Sequence, residues 1–365
     1  MTDQSPPALK EIFNLQRLQH IADEMSAVYP PFDAKGFLQH ASQDLAGLSV
    51  MQRMARVSES LHAVIPLDYA QTLKLLYALA PRLNSGFVSL FLGHYVASYG
   101  LDDFKRSMAA LKYFTTFGSA EFAVRAFLLQ DLQRTLAVMQ QWSLDDNEHV
   151  RRLASEGSRP RLPWSFRLAQ VQADPCLCAS ILDNLKADSS LYVRKSVANH
   201  LNDITKDHPE WVLDVIESWS LDNPHTAWIA RHALRSLIKQ GNTRALTIMG
   251  AGARAEVKIH QFKVEPAAIR LGERINLSFT LESTTSAPQK LVVDYAIEYV
   301  KSAGHSAAKV FKLKAFTLGA GERHTVLRGQ HIRDMTTRKH YPGQHTVHVL
   351  VNGERLASSG FELIG

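Results

Sequence analysis

The chain has 365 residues, of which 45% are hydrophobic and 21% charged. That is the balance of a globular protein too long for one comfortable core, so two domains are expected. Met1-Thr-Asp-Gln-Ser-Pro-Pro7 offers no leader region, the apolar stretch 67–83 is broken by Asp68, Lys74 and Pro81, and only Cys176 and Cys178 are present. These features argue against secretion, a membrane span and a disulfide framework, and for a cytoplasmic address. The net charge of +6 is uneven: residues 1–250 carry 25 basic and 25 acidic side chains, and residues 251–365 carry 16 and 10. A basic module joined to a neutral one points to a polyanionic partner, although ordinary solubilising charge is also consistent with it.

Residues 8–250 read as helix after helix. Tyr69-Ala-Gln-Thr-Leu-Lys-Leu-Leu-Tyr-Ala-Leu79 and Phe104-Lys-Arg-Ser-Met-Ala-Ala-Leu-Lys-Tyr-Phe114 place apolar residues at i, i+3/i+4 and i+7, and Pro, Gly, Asp or Asn breaks separate such segments. Several helices share a unit: a polar cap, a few residues, then an apolar residue followed by Arg. Arg125, Arg151, Arg194 and Arg231 fall in it, with 43 residues from Arg151 to Arg194 and 37 from Arg194 to Arg231. A repeat of about 40 residues built from helix pairs predicts a HEAT-like α-helical solenoid with a concave binding surface. Trp142, Trp211, Trp219 and Trp228 are expected in its core.

From Val257 the period becomes two. Seven alternating segments with turns at Pro266, Gly272, Gly304, Gly319, Pro342 and Gly353 predict an immunoglobulin-like β-sandwich. Tyr341 is a candidate tyrosine corner. The fold class is therefore multidomain, all-α followed by all-β, with a helical-repeat domain over 1–250 and a sandwich over 254–365.

The turn Arg151-Arg-Leu-Ala-Ser-Glu-Gly-Ser-Arg-Pro-Arg-Leu-Pro-Trp-Ser-Phe-Arg167 holds five arginines and one acid, Glu156. Gly157, Pro160 and Pro163 stop the helix just after that acid. Guanidinium forks suit phosphate oxygens, and the Trp164 indole suits a sugar or base. A carboxylate repels a phosphate backbone, so its presence makes sense where positive charge must be stabilised. Breaking an N-glycosidic bond builds such charge on the deoxyribose. A base that is already cationic leaves neutral and needs no general acid, no catalytic lysine and no metal. The structural alternative is an ion pair from Glu156 to Arg152 or Arg159 at a helix end.

This turn, with Val193-Arg-Lys-Ser-Val-Ala-Asn-His-Leu-Asn-Asp-Ile204, resembles the AlkC-type 3-methyladenine DNA glycosylases of the HEAT-like alkylpurine glycosylase superfamily. His331-Ile-Arg-Asp-Met-Thr-Thr-Arg-Lys-His-Tyr-Pro-Gly343 and Val349-Leu-Val-Asn-Gly353 are similar to the immunoglobulin-like extension of one branch, so the likeness covers nearly the whole chain. The resemblance implies a monofunctional glycosylase that frees cationic alkylated purines and leaves an abasic site, without flipping the base into a pocket. It implies carboxylates at Glu156 and Asp203, with Glu121 as a third, and packing of Trp164 on the sugar or lesion. It implies phosphate contacts from Arg152, Arg159, Arg161, Arg194 and Lys195. Read on residues alone, Asp203 is equally a helix-end or capping residue and Glu121 a first-turn acid on the helix dipole.

The basic run Arg333, Arg338, Lys339 and His340 is expected at one end of the sandwich, gripping DNA as a clamp or lying as a solvated loop. The expected partner is double-stranded DNA containing alkylated bases, with no metal, cofactor or membrane. No obligate protein partner is expected; the chain is read as a monomer in the cytoplasm, associated with the nucleoid. A non-enzymatic DNA-binding or protein-interaction scaffold is the competing reading.

Overall fold

The computed structural model describes residues 8–250, 255–302, 305–335 and 339–365. Helices occupy the first part: α1 (Leu15–Val28), α2 (Ala34–Ser42), α3 (Val50–Val64), α4 (Tyr69–Leu79), α5 (Leu90–Tyr99), α6 (Phe104–Phe114), α7 (Glu121–Gln130) and α8 (Leu132–Trp142). They continue with α9 (Glu148–Gly157), α10 (Ala169–Ala173), α11 (Ala179–Asn184), α12 (Leu191–Ile204), α13 (Pro209–Ser218), α14 (Pro224–Ala233), α15 (Arg235–Lys239) and α16 (Thr243–Ile248). Polar caps start many of them. Asn14, Asp33, Asp103, Asp131 and Asn147 each accept a first-turn N–H, and Ser49 with Gln52 and Asp68 with Gln71 form capping boxes.

The chain divides into two compact units. One takes the chain up to His208 together with Trp219–Ala233; the other takes Pro209–Ser218 and Leu234–Gly365. This is not the division expected at residue 250. Helices α13, α15 and α16 belong with the strands, for reasons internal to that unit. Arg244 of α16 reaches Glu210, Asp214 and Glu217 of α13 at 2.9, 2.5 and 2.5 Å. Gly241 also lies against Gly353, so closely that a Cβ on Gly353 would stand 2.4 Å from the Gly241 Cα. Both glycines have positive φ, so neither position accepts a side chain without strain.

In the first unit the second helix of each pair forms one continuous layer. Helix α3 packs on α5, α5 on α7, α7 on α9, α9 on α12 and α12 on α14, while α4, α6 and α8 back them. Each pair leaves apolar surface that only its neighbour covers, as in a solenoid. The repeat read from the arginines is visible in bonds. Arg151 Nη1 donates to the carbonyls of Asp145 and Asp146 (2.9 and 2.8 Å), and Arg194 Nη1 donates to those of Asp188 and Ser189 (2.8 and 2.7 Å). Trp142 and Trp219 are buried as expected, whereas Trp228 is half-buried and stacks on His232. No helix among the described residues is long and apolar enough to cross a membrane.

The strands of the second unit are β1 (Val257–Glu265), β2 (Ala268–Arg270), β3 (Arg274–Ser283), β4 (Gln289–Val300), β5 (Ser306–Leu318), β6 (Arg323–His331), β7 (Gly343–Val351) and β8 (Glu354–Ile364). They form a three-stranded sheet, β1-β3-β6, and a five-stranded sheet, β2-β8-β7-β4-β5. Alternation does the sorting: Ile275, Leu277, Phe279 and Leu281 of β3 point inward against Tyr295, Ile297, Val347 and Phe361 or Val293, Val349 and Val351. The eighth strand, β2, was not expected; three residues are too short to show a period. Near Tyr341 the bond on view is His345 Nε2–H to the Tyr341 carbonyl at 3.2 Å, with the Val300 N–H donating to His345 Nδ1 at 3.3 Å. Burial pushes the His345 pKa down, consistent with this neutral tautomer.

Candidate active site of the helical unit

Helix α9 starts on an Asn147 cap and ends at Gly157. The glycine is required by close approach: a Cβ there would stand 2.4 Å from Val124 Cγ1 of α7. One residue earlier, Glu156 is 6% exposed, in the last turn. Arg159 Nη1 donates to its Oε1 at 2.6 Å, Ser196 Oγ donates to its Oε2 at 2.6 Å, and Arg152 Nη2 lies 3.6 Å from Oε1.

Two further acids join it from neighbouring inner helices. Asp203, in the last turn of α12, is 5% exposed, and its Oδ2 accepts Arg159 Nε and Nη2 at 2.9 and 2.8 Å. Lys206 Nζ donates to Oδ1 at 3.1 Å. Glu121 opens α7; its Oε2 accepts Ser119 Oγ at 2.5 Å and is paired with Arg152 Nη1. The result is an alternating chain Glu121–Arg152–Glu156–Arg159–Asp203 across α7, α9 and α12, with three carboxylates against two guanidiniums. Burial alone would lower the Arg159 pKa, but Glu156 and Asp203 more than offset it, so its pKa stands above the ordinary arginine value.

Glu121, Arg152 and Glu156 line one side of a cleft of about 480 Å³, together with Phe87, Phe122, Trp164 and Tyr192. Trp164 is 66% exposed at its rim with φ +64, a left-handed conformation that a bulky residue rarely adopts. Such backbone costs about 1–3 kcal/mol and persists where the surroundings impose it. The support is Arg125 of α7, fully buried. Its Nη1 donates to the carbonyls of Gly157 (3.0 Å) and Arg159 (2.7 Å), and its Nη2 to that of Phe166, so one guanidinium ties both ends of the loop. Burial first, and then Arg159, press its pKa down to about 10, which still leaves it cationic at neutral pH.

The structure thus gathers Glu156, Asp203, Glu121, Arg152, Arg159 and Trp164 into one site. Arg159 is 7% exposed, and each of its three nitrogens is held against Glu156 or Asp203. Arg161 forms a fork on Asp207, Nε to Oδ2 at 3.2 Å and Nη2 to Oδ1 at 2.8 Å, and Arg194 Nη1 donates to two carbonyls of the turn before α12, with the guanidinium over the Trp228 ring. Lys195 is exposed on α12. In the second unit Arg333 and Lys339 are exposed, and Arg338 lies outside the described residues.

Sequence reading missed Arg125, Tyr192, Ser196 and His200. The last three share a face of α12 with Asp203, at i, i+4, i+8 and i+11, a polar stripe where an apolar one is usual. The Tyr192 ring lies 5.0 Å from the Arg152 guanidinium. His200 is fully buried, its Nδ1 donates to the Ser155 carbonyl at 3.0 Å, and burial lowers its pKa to about 3. Folding therefore disfavours its protonation: the stabilisation is complete above about pH 6.5 and is lost as pH falls towards 3. His200→Gln should lessen the loss of unfolding free energy between about pH 7 and 4.5 by roughly 2–3 kcal/mol. Denaturant melts along that range check this; a variant that tracks wild type throughout would contradict it.

A family model and a solved relative place this helical repeat among DNA alkylation-repair proteins. A family model described as a DNA alkylation repair enzyme matches residues 101–237, and one described as the C-terminal Ig-like domain of the uncharacterised protein YhaZ matches residues 258–365. The chain is 40% identical over 356 residues to the uncharacterized protein YhaZ of Bacillus subtilis (strain 168), covering 97% of this chain and 99% of that one. It is 84% identical to Pseudomonas fluorescens alkylpurine DNA glycosylase AlkC bound to DNA containing an abasic site analog, with a TM-score of 0.97 over 98% of this chain and 100% of that one. The chain belongs to the AlkC family of alkylpurine DNA glycosylases and is a DNA glycosylase of alkylation repair.

Proposed function

We propose that this enzyme hydrolyses the N-glycosidic bond of cationic alkylated purines such as 3-methyladenine in double-stranded DNA, leaving an abasic site, without drawing the base into a pocket. The observation that carries this is the alternating chain of acids and arginines reaching the cleft edge beside Trp164. As the C1′–N9 bond breaks, its electron pair neutralises the cationic ring, so the base leaves without a proton. Water attacks C1′, and its proton passes to a carboxylate or to solvent. Three fixed anions lower the energy of the sugar cation, and an indole at the rim can pack on the exposed deoxyribose. Donors already bonded to the carboxylates need no reorganisation during the reaction. The DNA-bound Pseudomonas relative supports DNA as partner.

All three acids come from one chain, which supports action as a monomer. Two cysteines without a disulfide, together with a DNA substrate, support a cytoplasmic, nucleoid-associated enzyme. Arg333 and Lys339, exposed in the second unit, supply phosphate contacts. Replacing both by Ala should weaken DNA binding and reduce the slope of log Kd against log salt by up to about 2. Binding titrations at several salt concentrations measure it; an unchanged slope would free this loop of the role.

The reading is tested by incubating methylated duplex DNA with the full-length protein and separating the products. Free 3-methyladenine with alkali-labile sites in the strand is expected. Intact DNA after many binding lifetimes would overturn it.

A further inference from the structure

Glu156 is gripped at both oxygens, and the two grips differ in kind. Arg159 holds Oε1 with a charge; Ser196 holds Oε2 with a neutral hydroxyl at 2.6 Å. Ser196 is 2% exposed and lies in the middle of the α12 stripe that follows α9 turn by turn. Tyr192 covers Arg152, Ser196 meets Glu156, His200 meets the Ser155 carbonyl, and Asp203 meets Arg159. Arg152 faces Glu156 from its own helix and Arg159 from the next loop. Glu121 approaches from α7, and Tyr192 and Asp203 from α12.

We propose that Ser196 is a positioning residue for base excision: its donated hydroxyl fixes the plane of the Glu156 carboxylate. The two arginines cannot do this alone. Both approach Oε1, which leaves rotation about the last side-chain torsion restrained on one side only. Because the hydroxyl is uncharged, removing it changes the orientation of Glu156 without changing the charge that DNA meets. This inference rests on Glu156 being the carboxylate that faces the reacting sugar.

The test uses the full-length protein, with Ser196→Ala, Ser196→Cys and Glu156→Gln beside wild type, in single-turnover excision of 3-methyladenine at neutral pH, with DNA affinity measured alongside. Cysteine is larger than serine and a weak donor, and alanine is smaller, so the two variants bracket the packing while both lose the bond. Both Ser196 variants should lose about 5- to 30-fold in single-turnover rate at neutral pH. DNA affinity and its salt slope should not change. A cysteine variant that behaves as wild type would show that the hydroxyl only packs, and the proposal falls. A loss of DNA affinity that matches the loss of rate also overturns it, since it would mean that Ser196 shapes the binding surface. If Glu156→Gln keeps the wild-type rate, the role of Glu156 fails and this inference with it. If Glu156→Gln is inactive while both Ser196 variants match wild type, Ser196 alone is rejected.

Discussion

Glu156→Gln is expected to cut the rate of base excision by about 10²–10³-fold, the usual cost of removing one preorganised electrostatic group, while DNA affinity holds or rises slightly. The amide has the size of the carboxylate, so Arg159 keeps an acceptor and the Ser196 hydroxyl can turn to accept from the new NH₂. What disappears is one of the negative charges that the proposed function sets against the sugar cation. Binding is spared because the charge removed repels phosphate. Single-turnover excision together with an equilibrium binding titration separates the two effects. Loss of affinity matching the loss of rate would mean that Glu156 builds the binding surface instead.

Arg159→Met should produce the largest loss of stability in the site, about 3–5 kcal/mol, the typical result of breaking a buried ion pair from one side. Arg159 is the shared partner of two carboxylates that are each almost fully buried. Without it Glu156 and Asp203 face each other with Arg152 at 3.6 Å and Lys206 at 3.1 Å as remaining cations, one on each side. Denaturant melts at neutral pH measure the loss. Adding Glu156→Gln and Asp203→Asn should restore most of it, because the pairwise penalty disappears with the charges. A single variant as stable as wild type, or a triple variant no better than the single one, would contradict this role.

The helical repeat was legible because its signal is local. Caps and apolar spacing act within a helix, and the Arg151 and Arg194 positions proved to make the same pair of carbonyl bonds in successive repeats. The sandwich was legible through its period of two, apart from the three-residue strand β2. Composition could not locate the division between units, since α13, α15 and α16 look like any other helices; their attachment depends on Arg244 and on the meeting of Gly241 with Gly353. Within the site, the acids stood out by their place in successive repeats, and Trp164 by its neighbours. The pairing of Arg159 with Glu156, three residues away, was open to a sequence reading, but only the fold brings Asp203, 44 residues away, to its other side. Arg125 was noticed merely as a repeat position, because its bonds to three loop carbonyls are non-local.

The central claim is that these carboxylates act on charge: the base brings a positive charge, leaves neutral, and passes that charge to the sugar, where the carboxylates meet it. It is tested most directly by single-turnover excision from two duplexes of identical sequence, one holding cationic 3-methyladenine and the other neutral hypoxanthine at the same position. The account predicts release of 3-methyladenine, and hypoxanthine release no faster than in the absence of enzyme, since nothing in the site is assigned to protonate a neutral base. Comparable release of the two bases would contradict it.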